Sequence, residues 1–133
     1  ILATLAAVLG MVAAALIITG FYPLTQIYQV EQDRKQGVIS FAVRYGKACF
    51  PLGVACMLSA AALMGYVAWR YFGVWEALAA VGGLVLLAGY IAIWWWRYDE
   101  HEVRTNYQWM MRLGYLMTGG FLVFLALLFV QGL

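Results

Sequence analysis

One stretch of the sequence combines the residue types that bind a metal ion or a charged substrate. Gln26, Gln29 and Asp33 stand at positions i, i+3 and i+7, a spacing that places them on one face of an α-helix. Arg34 and Lys35 follow directly. Oxygen ligands hold Mg²⁺ in proteins, and basic side chains neutralise the charge of a bound phosphate. The pattern therefore suits a metal–diphosphate site in which Asp33 is the anionic residue.

The same residues also fit a simpler interpretation, a solvated helix end at a membrane surface. One carboxylate is too few to hold a metal ion by itself, and basic residues are common where a membrane helix enters the cytoplasm. Against this, polar groups at membrane depth are costly and usually face a bundle interior or a cavity. Residue types and spacing leave both interpretations open.

The composition is that of a membrane protein. Of the 133 residues, 66% are hydrophobic and 11% are charged, whereas a soluble domain carries about 25% charged residues. This composition excludes a soluble globular domain and a disordered chain. A net charge of +2 without a basic stripe argues against a nucleic-acid partner.

Long runs without any charged residue divide the chain into four segments. These runs are residues 1–30, 48–69, 77–96 and 113–133. Each is long enough to cross a bilayer as a helix, which takes about 20 residues. We therefore predict an all-α bundle with four transmembrane helices. Their expected bounds are about 1–33, 47–70, 75–96 and 106–130. Pro23 predicts a kink or break in the first helix.

Basic residues are concentrated in two of the three connections between these helices. The segments 31–47 and 97–112 contain Arg34, Lys35, Arg44, Lys47, Arg97, Arg104 and Arg112. The short turn between the second and third helices contains only Arg70. The positive-inside rule then predicts that both long loops are cytoplasmic. The membrane would be the plasma (inner) membrane if the protein is prokaryotic.

Several other residues have structural interpretations. Aromatic residues near the helix ends predict two belts at the membrane interfaces. One belt comprises Trp69, Tyr71, Phe72 and Trp75, and the other comprises Trp94, Trp95, Trp96, Tyr98 and Trp109. Small residues spaced by four predict close helix contacts. These pairs are Gly10 with Ala14, Ala55 with Ser59, and Ala79 with Gly83.

The remaining acidic residues and the two cysteines suggest no chemistry. Residues 99–102, Asp-Glu-His-Glu, predict a solvated loop, and Glu76 predicts a favourable charge at a helix N-terminus. Cys49 and Cys56 are seven positions apart on one helix, about 10 Å along its axis. That separation is too long for a disulfide, so both cysteines are predicted to be packing residues.

The segment from Gln26 to Gly46 resembles a motif of a known family. It reads Gln-Ile-Tyr-Gln-Val-Glu-Gln-Asp-Arg-Lys-Gln-Gly, then Val-Ile-Ser-Phe-Ala-Val-Arg-Tyr-Gly. It is similar to the second Asp-rich motif of the UbiA superfamily of intramembrane prenyltransferases, Asp-x-x-x-Asp-x-x-x-Gly followed by Thr-Leu-x-Val-Arg/Lys-x-Gly. In that family the motif lies at the cytoplasmic end of the sixth of nine transmembrane helices. Residues 106–112 likewise resemble the start of the last helix. The resemblance implies that this chain is a fragment corresponding to helices six to nine.

The resemblance also implies roles for individual residues. Asp33 matches the second Asp of the motif, which binds Mg²⁺ on the prenyl diphosphate, and Gln29 stands where the first Asp is expected. Glutamine supplies a neutral carbonyl oxygen that can still ligate Mg²⁺. Asp33 and Gln29 are thus the implied metal ligands. Asp33, Arg34 and Lys35 are the implied catalytic residues. The implied diphosphate-binding residues are Gln26, Gln29, Arg34, Lys35 and Arg44.

Together these features predict a function for the parent protein. It would be an enzyme that uses Mg²⁺ to transfer a polyprenyl group from its diphosphate to a hydrophobic or aromatic acceptor. The family's first Asp-rich motif has no counterpart here, because residues 1–30 contain no acidic residue. The N-terminal half of the same protein is therefore an expected partner, and the 133-residue chain alone is expected to be inactive. The alternative is a non-catalytic membrane protein, half of a transporter or an assembly subunit, that uses the polar residues for helix contacts.

Overall fold

Four long helices dominate the computed structural model, which describes residues 2–132 and the side chains of residues 4–130. Each of them is long and apolar enough to cross a membrane, which confirms the predicted all-α, four-span architecture of an integral membrane protein. In chain order the helices are α1 (Leu2–Thr25), α2 (Val30–Lys35), α3 (Phe41–Tyr45), α4 (Cys49–Tyr71), α5 (Val74–Arg97) and α6 (Val103–Gly132). The predicted start of the first helix, Ile1, lies outside the described residues, as does Leu133.

The first span is broken, as Pro23 predicts, but the break lies just beyond the proline. Helix α1 continues through Pro23 to Thr25, a 3-10 turn covers Ile27–Gln29, and α2 begins at Val30. At the break the Gln26 N–H donates to the Pro23 carbonyl at 3.2 Å, and the Gln29 N–H donates to the Gln26 carbonyl at 3.2 Å. Both hydrogen bonds join residues three positions apart, as in a 3-10 helix. They wind the backbone more tightly than an α-helix and end the α-helical register before the polar segment.

The connection after α2 contains a helix that the sequence interpretation treated as loop. Helix α3 begins after Ser40, whose hydroxyl accepts a hydrogen bond from the Val43 N–H at 3.2 Å. This is the usual role of a serine at a helix N-cap. The helix ends at Gly46, whose φ of +54° lies in the region that favours glycine. The Ser40 hydroxyl is therefore used to start α3.

Helix α4 forms the centre of the bundle, between α1 and α5, and α6 packs against α5 and the 3-10 turn. Helix α1 packs closely against α4 at Gly20, where an added Cβ would stand only 2.8 Å from the Cβ of Cys56. Two of the small-residue pairs predicted from spacing contain a glycine, and neither glycine makes such a contact with the described residues. Gly10 and Gly83 have no heavy atom of another element close to where a Cβ would be.

Several residues of the predicted aromatic belts lie exposed on the bundle surface, but Trp94 does not. Trp96 is 81% exposed and Trp75 is 74% exposed, as residues at a membrane interface should be. Trp94 is fully buried and forms an edge contact with Phe50 at a centroid distance of 5.1 Å. The prediction for Trp94 is therefore wrong, because this side chain points into the contact of α4, α5 and α6 rather than outward. Cys49 and Cys56 are free thiols, as predicted.

Candidate functional site

The break in the first span determines which faces of the chain carry the polar side chains of Gln26, Gln29 and Asp33. Gln26 precedes the 3-10 turn, Gln29 ends it, and Asp33 lies in α2. The three residues therefore do not share one face of a continuous α-helix, contrary to the sequence prediction. They are still one turn apart at each step, because three residues complete a 3-10 turn and four residues complete about one α-turn.

Gln26 carries the most unusual polar atom of this segment. Its side-chain oxygen Oε1 is buried and has no hydrogen-bond partner among the described residues. Leaving a buried acceptor without a donor costs about 1–3 kcal/mol. The neighbouring Ile27 and Val30 are buried apolar residues, so the oxygen lies beside core packing. The Gln26 oxygen is therefore available to accept a hydrogen bond from a donor, or to ligate a cation, that the described residues do not supply.

The basic residues predicted to bind a diphosphate are paired with acids. The Arg34 guanidinium lies 2.5 Å from the carboxylate of Glu100, and the Lys35 ammonium lies 3.5 Å from Glu31. His101 Nδ1 is 3.7 Å from the other oxygen of Glu31. The Arg34–Glu100 and Glu31–His101 contacts join α2 to the α5–α6 connection. The two long loops therefore lie at the same end of the bundle.

The acidic segment 99–102 thus has a role that the sequence interpretation missed. It was predicted to be a solvated loop, and its side chains are largely exposed. Glu100 and His101 nevertheless contact charged residues of α2. The opposite charges of the two loops were a signal for this contact, once the helix count had placed both loops at one membrane surface.

Asp33 and Arg44 are placed differently from Arg34 and Lys35. The Asp33 side chain is half-buried and forms no ion pair within the part of the chain that the structure describes. Its carboxylate therefore remains free to accept a ligand. Arg44 lies on α3, where its guanidinium is 5.7 Å from the centroid of the Tyr45 ring. The role of Arg44 in diphosphate binding remains a prediction.

Asn106 is a buried polar residue that holds the α5–α6 connection in place. Its Oδ1 accepts a hydrogen bond from the Trp94 indole N–H at 3.1 Å, and its Nδ2 donates to the Asp99 carbonyl at 2.8 Å. The Asp99 carboxylate in turn accepts from the His101 N–H at 3.0 Å. Asn106 thus anchors the loop that carries Glu100 and His101. The sequence interpretation noticed Asn106 only as part of a resembling segment.

We expect Asn106→Ala to destabilise this connection. The substitution leaves the buried Trp94 N–H without its acceptor, which should lower the free energy of unfolding by about 1–3 kcal/mol. Gln108→Ala is the matched control, because it removes an exposed amide from the same helix. Unfolding in detergent, followed by tryptophan fluorescence, measures both variants. Equal stability of the two variants would contradict the anchoring role.

Tyr98 directly follows the last residue of α5. Its ring packs on Phe50 at a centroid distance of 5.0 Å. Burial raises the pKa of the Tyr98 phenol to about 12, and the nearby negative charge of Glu100 acts in the same direction. The phenol therefore stays protonated at physiological pH and keeps the packed surface behind the Arg34–Glu100 pair uncharged.

The donor set fits Mg²⁺ only in part. Among the described residues no three His, Cys, Asp or Glu side chains are grouped to hold a metal ion. Mg²⁺ is commonly held by one or two carboxylates together with water and the phosphate oxygens of a substrate. Asp33 supplies the carboxylate, and the amide oxygens of Gln26 and Gln29 are additional neutral donors. Such an ion would depend on the substrate phosphates for much of its coordination.

Comparisons with protein-family models, with curated proteins and with solved structures gave no significant match. The function is therefore inferred from the residues themselves and from the motif that they resemble.

Proposed function

We propose that the parent protein is an intramembrane prenyltransferase of the UbiA type, and that this chain supplies the half that carries the second Asp-rich motif. The observation that supports the proposal most directly is the buried, unpartnered Oε1 of Gln26. Gln26 precedes Asp33 by seven residues, and the Asp33 carboxylate forms no ion pair among the described residues. An apolar span that ends in ligand-accepting oxygens suits a substrate with an isoprenoid tail and a charged diphosphate.

In this proposal Asp33 and Gln29 are the groups that hold Mg²⁺. When bound, the ion would stabilise the negative charge that develops on the departing diphosphate. Asp33 supplies the anionic ligand, and Gln29 supplies an amide oxygen in place of a second carboxylate. Gln26 has an amide that both donates and accepts, so it can orient the diphosphate through its N–H₂ group while its oxygen faces the cation.

Arg34 and Lys35 would bind the diphosphate by exchanging partners. The side chains of Arg34 and Glu100 are 57% and 31% exposed, and exposed ion pairs contribute only about 0.2–1 kcal/mol. A diphosphate carries more charge than a carboxylate and accepts several charge-assisted hydrogen bonds. The existing pairs are therefore weak enough to be replaced, and they hold the two basic side chains near the site in the meantime.

The experiment that tests the proposal is a transfer assay with the purified parent protein in detergent or liposomes. It uses a radiolabelled prenyl diphosphate and a panel of hydrophobic aromatic acceptors, and Mg²⁺ is varied. Labelled product that requires Mg²⁺ and is lost on substitution of Asp33 would support the proposal. Absence of transfer with every acceptor, together with no binding of the prenyl diphosphate, would refute it.

We further propose that the segments 31–47 and 97–112 are cytoplasmic, because they hold seven basic residues against one at the other end.

Cysteines introduced as Gln36→Cys and His101→Cys should not react with an impermeant thiol reagent on intact cells. They should react after permeabilisation. Phe72→Cys, exposed at the opposite end of the bundle, is the control that should react from outside. The native Cys49 and Cys56 are buried and should give little background. Outside labelling at positions 36 and 101 would reverse the topology.

A non-catalytic role is the second candidate, and one observation favours it. Arg34 pairs with Glu100, and Glu31 pairs with both Lys35 and His101. The Arg34–Glu100 and Glu31–His101 contacts join the two loops. A transporter half or an assembly subunit would use such pairs only to fix its helices. In that case the double substitution Arg34→Glu with Glu100→Arg, which exchanges the two charges, would preserve function. A diphosphate-binding Arg34 would not tolerate the exchange.

A further inference from the structure

An apolar concavity lies between α1, α3 and α4. It has a volume of about 360 Å³, within the range of about 300–1,000 Å³ that is typical of small-molecule sites. Its lining residues are Ile18, Thr19, Tyr22, Pro23, Phe41 and Leu52. Because Ile18 is 64% exposed and Tyr22 is 59% exposed, the groove opens on the outside of two membrane spans. The groove is therefore open on the outer surface of the described helices.

A basic residue stands beyond one wall of this groove. Phe41 lines the groove and contacts the Tyr45 ring at a centroid distance of 4.5 Å. The Arg44 guanidinium lies on that same Tyr45 ring. Helix α3 thus places Phe41 at the groove, Tyr45 against Phe41, and the positive charge of Arg44 beside Tyr45 at the membrane boundary.

Arg44 also differs from Arg34 and Lys35 in its partners. Within the described part of the chain Arg44 forms no ion pair with a carboxylate, whereas Arg34 and Lys35 each do. Its only described aromatic partner, Tyr45, is half-exposed. An exposed guanidinium at the membrane boundary favours an anionic partner, and phosphate suits its planar, multi-donor geometry.

We propose that this groove binds one anionic phospholipid, with an acyl chain along Ile18, Tyr22 and Leu52 and the headgroup phosphate at Arg44. The bilayer itself supplies such a molecule at the position where the groove opens. Juxtamembrane cations attract anionic lipids with about 1 kcal/mol each. The apolar lining of the groove favours a lipid acyl chain over water. The proposal assigns Arg44 to a lipid headgroup in place of the diphosphate that the resemblance implies, and it does not depend on transfer activity.

Photo-crosslinking in reconstituted membranes tests the lipid site. The parent protein is placed in nanodiscs that contain phosphatidylglycerol with a photoactivatable group in one acyl chain, and the adducts are mapped by mass spectrometry. We expect adducts on residues 18–22 and at Leu52. Arg44→Gln should lower their yield about five-fold, the factor that one interfacial cation contributes. A phosphatidylcholine probe should give a lower yield that Arg44→Gln does not change.

Two further variants keep the result interpretable. Arg70→Gln removes a basic residue from the opposite end of the bundle, so its adduct yield should equal that of the unchanged protein. Ile18→Trp fills the groove from an exposed position that should tolerate the larger ring, and it should abolish the adducts at Leu52. Each variant is first checked for unchanged helix content and monodispersity.

Three outcomes would overturn the proposal. The first is equal labelling by the two probes with no effect of Arg44→Gln. The second is adduct formation only outside residues 18–22 and Leu52. The third is loss of the adducts on addition of a polyprenyl diphosphate but not of excess phosphatidylglycerol, which would assign the groove to a substrate. In the second case, labelling confined to another segment of the parent protein would show that a helix covers the groove.

Discussion

We expect Asp33→Asn to reduce prenyl transfer by the parent protein by about 100-fold or more. Asp33 is the one carboxylate of the motif that forms no ion pair within the described chain. Asparagine keeps the size of the side chain but removes its charge, and neutral amide oxygens alone hold Mg²⁺ poorly. The expected loss is that of a strong electrostatic contact to the transition state. The measurement is the initial rate of transfer from a radiolabelled prenyl diphosphate at several Mg²⁺ concentrations.

Glu31→Gln is the matched control, since it removes one carboxylate from the same short helix. Glu31 pairs with Lys35 and His101, whereas Asp33 forms no ion pair among the described residues. We expect its effect to stay under about ten-fold. Gln29→Asp should retain activity, because it restores the second carboxylate of the resembling motif. Equal effects of Asp33→Asn and Glu31→Gln, or no effect of either, would leave only a solvated helix end.

The second large effect is expected at the contact of α1 with α4. A Cβ on Gly20 would stand 2.8 Å from the Cβ of Cys56 and 3.3 Å from the Gly53 backbone, so any larger residue forces the two helices apart. We expect Gly20→Val to lower the free energy of unfolding by about 1–3 kcal/mol or more, as overpacking does in closely packed contacts. Close backbone approach through small residues is a main source of helix association in lipid.

Gly10→Val is the control for this prediction. It makes the same substitution on the same helix, with the same change in helix propensity, but nothing of another element lies near its added Cβ. Unfolding of both variants by a denaturing detergent, followed by circular dichroism, measures the difference. If Gly20→Val and Gly10→Val unfold at the same detergent fraction, the α1–α4 contact does not depend on Gly20.

The four spans follow from the sequence alone, and the reason is local. The charge-free runs at 48–69 and 77–96 coincide with α4 and α5 within a few residues. Hydrocarbon admits only segments that satisfy their own backbone hydrogen bonds and carry few charges. Length and hydrophobicity therefore determine where a span begins and ends. Pro23 likewise indicates an interruption of the first span from the sequence alone, although α1 continues through the proline to Thr25.

The candidate site was only partly predictable, because its residues are arranged by more than one element. The sequence identified the chemical types at Gln26, Gln29 and Asp33. It placed them on one α-helical face, and the 3-10 turn at 27–29 changed that arrangement. The pairing of Arg34 with Glu100 joins residues 66 positions apart. No local pattern specifies which of several opposite charges at one membrane surface will meet.

Tertiary structure also decided which similar residues became core. Trp94 and Trp96 are two positions apart on α5 and have the same chemistry, yet one is fully buried and the other is 81% exposed. They project about 200° apart around the helix, so the packing of α4 and α6 selects one of them. Gly20 and Gly10 differ in the same way, since only Gly20 meets another helix. Span length is set by the thickness of the bilayer and can be read along the chain. The contacts that bury Trp94 and Gly20 depend on how the helices pack against one another, which residue type alone does not specify.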